Sequence, residues 1–133
     1  MSVKLSLVVP CYNEEDNVEN FFRHVKEGLR SYTDSYEIVF VNDGSRDATL
    51  HNLKKLFGEQ RCPVKVVSFS RNFGKEAGIY AGMEQANGEY ISLIDADLQQ
   101  RPELVREMVK ILDMEPQYDV VAAYQDRRGE GKV

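Results

Sequence analysis

The sequence predicts an α/β fold, an open and mostly parallel sheet flanked by helices. Three observations predict it. Five short runs rich in β-branched residues recur along the chain, and polar loops and apolar patterns at helical spacing fill the intervals between them. Several of the runs are apolar on both faces, as strands are when helices cover both sides of a parallel sheet. The 133 residues, 42% hydrophobic and 29% charged, suffice for one domain with its own core and are too apolar for wholesale disorder.

The expected strands are Leu5–Pro10, Glu37–Val41, Val64–Phe69, Tyr90–Ile94 and Val120–Ala123. Between them, Val18, Phe21, Phe22, Val25 and Leu29 fall on one face of a first helix. Leu50, Leu53, Leu56 and Phe57 mark a second, and Ile79, Tyr80 and Met83 line a third, with Asn87-Gly88 expected to close it in a left-handed cap. The fourth opens on Pro102, favoured at a first helical position, and continues through Leu104, Val105, Met108, Val109, Ile111 and Leu112. Such alternation implies right-handed crossovers, and open α/β sheets place their ligands at the carboxyl ends of the strands.

Those ends carry most of the chemistry. After the first strand come Tyr12-Asn13-Glu14-Glu15-Asp16, where Asn13 is a candidate N-cap and the acids suit a helix N-terminus. After the second comes Asn42-Asp43-Gly44-Ser45, which is also ordinary turn chemistry. Arg71 and Lys75 flank the loop after the third, either as solvated cations or as an anion site at a helix entrance. The fourth strand delivers Asp95-Ala96-Asp97-Leu98-Gln99. On extended backbone Asp95, Asp97 and Gln99 share a face, and two carboxylates so close repel unless a cation lies between them. Hard oxygen donors suit Mg2+ or Mn2+, which complete their shells with water and substrate phosphates. An acidic cleft of this kind accepts a nucleoside diphosphate through a bridging divalent cation.

Composition narrows the partners. Seventeen basic against 22 acidic side chains, a net charge of -5, argue against a general nucleic-acid-binding field. Cys11 and Cys62 form neither a metal motif nor a disulfide framework and read as small apolar residues in a reducing compartment. No run approaches the ~18 apolar residues of a membrane span, so the covered chain is expected to be soluble.

Taken together, Val8-Val9-Pro10-Cys11-Tyr12-Asn13-Glu14, Val41-Asn42-Asp43-Gly44-Ser45, Arg71-Asn72-Phe73-Gly74-Lys75 and Asp95-Ala96-Asp97-Leu98-Gln99 resemble family 2 glycosyltransferases. The likeness is to the subgroup that loads a sugar onto a polyprenyl phosphate, such as dolichyl-phosphate mannose synthase and the bacterial undecaprenyl-phosphate glucosyl- and aminoarabinosyl-transferases. It implies a GT-A fold, whose Rossmann-like half binds the nucleotide-sugar and is followed by an acceptor half. By that resemblance Pro10, Tyr12, Glu14, Val41 and Asp43 hold the nucleoside, Tyr12 near the base and Asp43 accepting from a base N–H. Asp95 and Ala96 approach the ribose and diphosphate, and Lys75 lies near the donor. Asp97, the catalytic residue of the set, binds Mg2+ or Mn2+ with Gln99 and the diphosphate oxygens, Asp95 completing the metal site.

The resemblance further implies an inverting transfer from a nucleotide-diphospho-sugar, UDP-sugar favoured, to a polyprenyl phosphate. A phosphate acceptor is already ionised and needs no general base, whereas a hydroxyl acceptor would need one. Relatives often carry an arginine after the fifth strand against the donor phosphates; here Gln125 stands near that place, with Arg127 and Arg128 as alternatives. Residues 1–133 then make up the nucleotide-sugar-binding part of a longer enzyme. Its acceptor half and any membrane helices lie outside this chain, and it works at the cytoplasmic face of a membrane. Other readings fit less well. A haloacid-dehalogenase-like phosphatase expects a hydroxyl or β-branched residue at Gln99. A response-regulator receiver expects its phosphoacceptor where Ser70-Arg71-Asn72 stands. A catalytically silent nucleotide-sugar-binding module keeps the same site.

Overall fold

The structure, a computed structural model, describes residues 3–30, 35–58, 64–125 and 131–132. Strands β1 (Val3–Cys11), β2 (Tyr36–Asn42), β3 (Val64–Ser68) and β4 (Gly88–Leu93) form one all-parallel sheet in the order β3-β2-β1-β4. Helices α1 (Val18–Gly28), α2 (Thr49–Phe57), α3 (Lys75–Gln85) and α4 (Pro102–Met114) alternate with them. The register sets Leu5 beside Tyr36 and Tyr90, and Val8 beside Val39 and Leu93.

Strand alternation sorts the two faces. Leu5, Leu7, Val9 and Cys11 of β1, with Ile38 and Phe40 of β2, point into the main core, where they meet Phe21, Val25, Leu53, Leu56, Val105 and Val109 from α1, α2 and α4. Phe21 and Phe40 meet there edge to face, their ring centroids 6.0 Å apart. Ser6, Val8, Glu37, Val39 and Val41 are buried on the opposite face, against which α3 packs. The central strands β1 and β2 are buried nearly throughout, whereas β4, at the edge of the sheet, alternates, with Ile91 and Leu93 exposed.

Several expectations need correction. Phe57, Tyr80 and Met83 are exposed rather than core-facing. Helix α3 instead buries Gly78 and Gly82 against the sheet, and at Gly82 there is no room for a side chain. A Cβ on Gly82 would stand 2.4 Å from Val8 Cγ1. Asn13 is not the cap of α1, which starts at Val18 behind Asn17. Asn13 lies in the left-handed region at φ 53°, and its side chain accepts Arg46 N–H at 2.9 Å.

Asn87-Gly88 forms no left-handed cap either, since Ala86 is already extended and β4 starts at Gly88. The donors there go to a buried acid and its hydroxyl partner instead: Asn87 N–H to Glu37 Oε2 (2.6 Å) and Gly88 N–H to Ser6 Oγ (2.7 Å), Ser6 itself donating to Glu37. The expected fifth strand, Val120–Ala123, is irregular, and Val120 is exposed. A strand exists only where a ladder receives it. The chain pairs one residue later, as an antiparallel ribbon of β5 (Tyr124–Gln125) with β6 (Gly131–Lys132).

Candidate functional site

The carboxyl ends of β1, β2 and β4, with the loop after β3, enclose a cleft of about 430 Å³. Pro10, Tyr12, Glu14, Asp43, Lys75, Asp95, Ala96 and Asp97, all expected on sequence grounds, line it together. Val41 does not; it is buried beneath α3, its Cγ1 3.7 Å from where a Cβ on Gly78 would be. Gln99 also lies outside the lining. The extended backbone expected to carry alternation through Gln99 ends with β4 at Leu93, and Leu98 then turns left-handed at φ 63°. Gln99 instead donates its backbone N–H to Asp97 Oδ1 at 3.2 Å. Cys11, Asn72 and Gly74 join the lining without having been singled out as ligands.

A web of loop-to-loop bonds builds the cleft. Between the loops after β1 and β2, Asn13 N–H donates to Ser45 Oγ (3.0 Å) and Glu14 N–H to Thr49 Oγ1 (2.8 Å). Glu15 Oε2 accepts Ala48 N–H (2.9 Å), and Glu15 N–H donates to Asp47 Oδ2 (3.3 Å). Glu15 and Asp47 are thus occupied structurally. The Asp47 carboxyl sits below its ordinary range: burial pushes it up, and the hydroxyl and N–H of Thr49 with Glu15 N–H outweigh that.

Asp43 is 4% exposed and holds the loop after β3. Its Oδ1 accepts Phe73 N–H at 2.7 Å, and its Oδ2 accepts Gly74 N–H at 3.0 Å and Asn72 Nδ2 at 3.2 Å. Gly44, at φ 67°, is required beneath this loop, since a Cβ would lie 2.2 Å from the Arg71 carbonyl carbon. Arg71 stacks its guanidinium 4.3 Å from the Phe73 ring centroid, and Phe73 meets Phe69 edge-on at 5.5 Å. From the start of α3, Lys75 reaches across to Asp95, Nζ to Oδ1 2.9 Å.

Electrostatically the cleft is acidic with one ammonium: Glu14, Asp43, Asp95 and Asp97 against Lys75. Burial pushes the Cys11 thiol well above its ordinary range, with the charges of Glu14 and Asp95 adding to the shift, so it is an unreactive wall. Among the described residues no three His, Cys, Asp or Glu side chains converge as a metal cage. The donor set nevertheless fits Mg2+ or Mn2+, which are commonly bound by one or two carboxylates plus substrate phosphates. His24 and His51 are exposed on α1 and α2, away from the cleft. Of the three residues considered for the donor phosphates, Arg127, Arg128 and the side chain of Gln125 lie outside what is described.

The Glycosyl transferase family 2 domain matches residues 6–133. An uncharacterised glycosyltransferase of Synechocystis is 45% identical over 98% of this chain and 40% of its own length. The dodecaprenyl-phosphate galacturonate synthase of Rhizobium johnstonii is 37% identical over 98% of this chain and 38% of its own. The chain thus spans about two-fifths of the length of these curated relatives. Among solved structures, a Pyrobaculum calidifontis mannosyltransferase in complex with GDP-Man and Mn2+ superimposes with a TM-score of 0.76 at 22% identity, over 92% of this chain and 35% of that one. The fold is that of the GT-A glycosyltransferases, and the chain belongs to glycosyl transferase family 2.

Proposed function

We propose that residues 1–133 are the nucleotide-sugar-binding part of an inverting, divalent-metal-dependent glycosyltransferase that loads a sugar onto a polyprenyl phosphate. The observation that carries this reading is the convergence of Tyr12, Glu14, Asp43, Lys75, Asp95 and Asp97 on one cleft at the carboxyl ends of a parallel sheet. Tyr12, 45% exposed, offers its ring to the base. The Asp43 carboxylate already accepts three donors, so any base N–H shares it with the loop it holds.

Asp97, with Gln99 nearby, holds a Mg2+ or Mn2+ ion, whose contribution when bound is to neutralise charge growing on the departing diphosphate. Lys75 adds a fixed positive charge on the same side. The attacking oxygen is that of an ionised phosphate, in keeping with a cleft in which none of the lining residues is a histidine. The name of the Rhizobium relative supports a polyprenyl-phosphate acceptor, and the family resemblance favours UDP as the carrier. No helix among the described residues is long and apolar enough to cross a membrane. We place the reaction at the cytoplasmic face of a membrane, where a lipid phosphate is presented.

The test is transfer by the full-length protein from labelled UDP- and GDP-hexoses to undecaprenyl phosphate with Mn2+ present. The reading predicts an organic-extractable product that Asp97→Ala reduces by at least ~100-fold. Full transfer by Asp97→Ala would contradict the site, and no transfer from any donor would contradict the activity.

A further inference from the structure

We propose that Lys75 is a built-in counter-cation that withholds Asp95 from the divalent ion and leaves Asp97 as the open carboxylate of the pair. The inference rests on the reading of the cleft as a metal and nucleoside-diphosphate site, and it assigns different work to two acids that look equivalent in the sequence.

The two acids have different partners. Asp95 Oδ1 meets Lys75 Nζ at 2.9 Å, while among the described residues Asp97 accepts the backbone N–H of Gln99, within its own turn, and meets no cation. Lys75 does not arrive by chance of a flexible surface chain. It is the first residue of α3, directly behind Phe73 and Gly74, whose two N–H groups are both fixed by the buried carboxylate of Asp43. Gly74 turns the chain there at φ 104°, which aims the helix start into the cleft. Asp43 is therefore a positioning residue for Lys75, although it touches neither Lys75 nor Asp95.

The Lys75 side chain is 63% exposed and that of Asp95 49%, so the pair is exchangeable rather than locked. A divalent ion has two ways to bind. It could displace Lys75 and take both carboxylates, or bind Asp97 and the diphosphate oxygens while Lys75 stays on Asp95. The second keeps both carboxylates neutralised and leaves the ion more open positions for phosphate oxygens and water. Lys75 thereby makes metal binding weak without nucleotide and dependent on it.

Binding of Mn2+ alone to the full-length protein, followed by the electron paramagnetic resonance of the free ion, tests this. Lys75→Met should tighten Mn2+ roughly tenfold, the effect of releasing the unit negative charge of Asp95 about 6 Å from a divalent ion at the dielectric of water. The same variant should bind metal-free UDP more weakly than the wild type, so the two affinities move in opposite directions. Lys75→Arg should restore wild-type Mn2+ affinity. The gain must depend on Asp95, so it should vanish when Asp95→Asn is added to Lys75→Met. A gain that survives in the double variant, no gain in Lys75→Met, or no Mn2+ binding by any variant would overturn the proposal. If wild-type protein with Mn2+ binds no nucleotide while the Mn2+ pattern holds, the nucleotide-sugar reading fails and the Lys75 assignment stands.

Discussion

Asp43 shows how much one buried carboxylate can organise. It accepts two backbone N–H groups and one side-chain amide from a loop some thirty residues away. Asp43→Ala strands those donors and should cost about 2–3 kcal/mol in urea unfolding. It should also weaken UDP binding, because the Arg71–Lys75 loop loses its anchor. A purely base-contacting Asp43 would lower affinity and leave stability unchanged.

Glu37 plays the corresponding part at the other end of the sheet. It is 2% exposed, bonded to Ser6 Oγ and Asn87 N–H, and paired with Lys65 Nζ at 3.1 Å. Burial raises its carboxyl, but Ser6, Asn87 and Lys65 outweigh it and the net shift is downward. A depressed folded-state value means stability is present above the unfolded-state value of about 4.3 and is lost as the pH falls through the folded one. Glu37→Gln should lower stability by roughly 2 kcal/mol at neutral pH and flatten the acid limb of the unfolding profile. An unchanged acid limb would show that other carboxylates govern it.

Nothing in the sequence marks Glu37 as buried, since it is the one acid in an otherwise apolar strand and its partners Ser6, Lys65 and Asn87 lie far from it along the chain. The acids at the strand ends were legible, but not which of them are structural. Glu15 and Asp47 are consumed in the clasp between two loops, and that depends on contacts some thirty residues apart.

At the scale of elements, the strands and helices were legible where burial is one-sided and strong. Helix α1 carries an apolar stripe that the core takes up as expected, whereas α4 gives the core only Val105 and Val109 of its stripe and leaves Leu104, Met108, Ile111 and Leu112 half-buried. Helix α3 was misread because its packing face is made of glycines, which leave no hydrophobic signal, while its apolar residues Tyr80 and Met83 point outward.

The two glycines should respond differently to alanine. A Cβ on Gly78 would make ordinary contacts at 3.7 and 3.8 Å with Val41 and Pro10, so Gly78→Ala should be neutral or stabilise by up to ~1 kcal/mol through helix propensity. On Gly82 it would collide with Val8, and Gly82→Ala should destabilise by about 1–3 kcal/mol. Thermal unfolding of the two variants gives the comparison directly; equal shifts would mean that α3 slides freely on the sheet. The last expected strand was misplaced for a different reason. Val120–Ala123 has the composition of a strand, but composition does not supply a hydrogen-bonding partner, and the pairing falls at Tyr124–Gln125.

At the scale of the whole molecule, a four-stranded parallel sheet sends its loops to one end, and those loops build a cleft whose acids are sorted into different tasks. Asp43 fixes a loop, Asp95 is paired with Lys75, and Asp97 is open. Position along the strands was enough to locate this end, because parallel topology fixes which loops meet. It was not enough to exclude Val41 and Gln99 from the lining, which depends on how α3 covers β2 and how the chain turns at Leu98.

The central claim is that this cleft binds a nucleoside diphosphate through a divalent ion held at Asp97. Calorimetric titration of UDP and GDP into the full-length protein, with and without Mn2+, tests it most directly. The account predicts that UDP binds the more tightly of the two, that Mn2+ strengthens binding at least ~10-fold, and that Asp97→Ala abolishes the metal effect. Binding of neither nucleotide, or a metal effect that survives in Asp97→Ala, would contradict it.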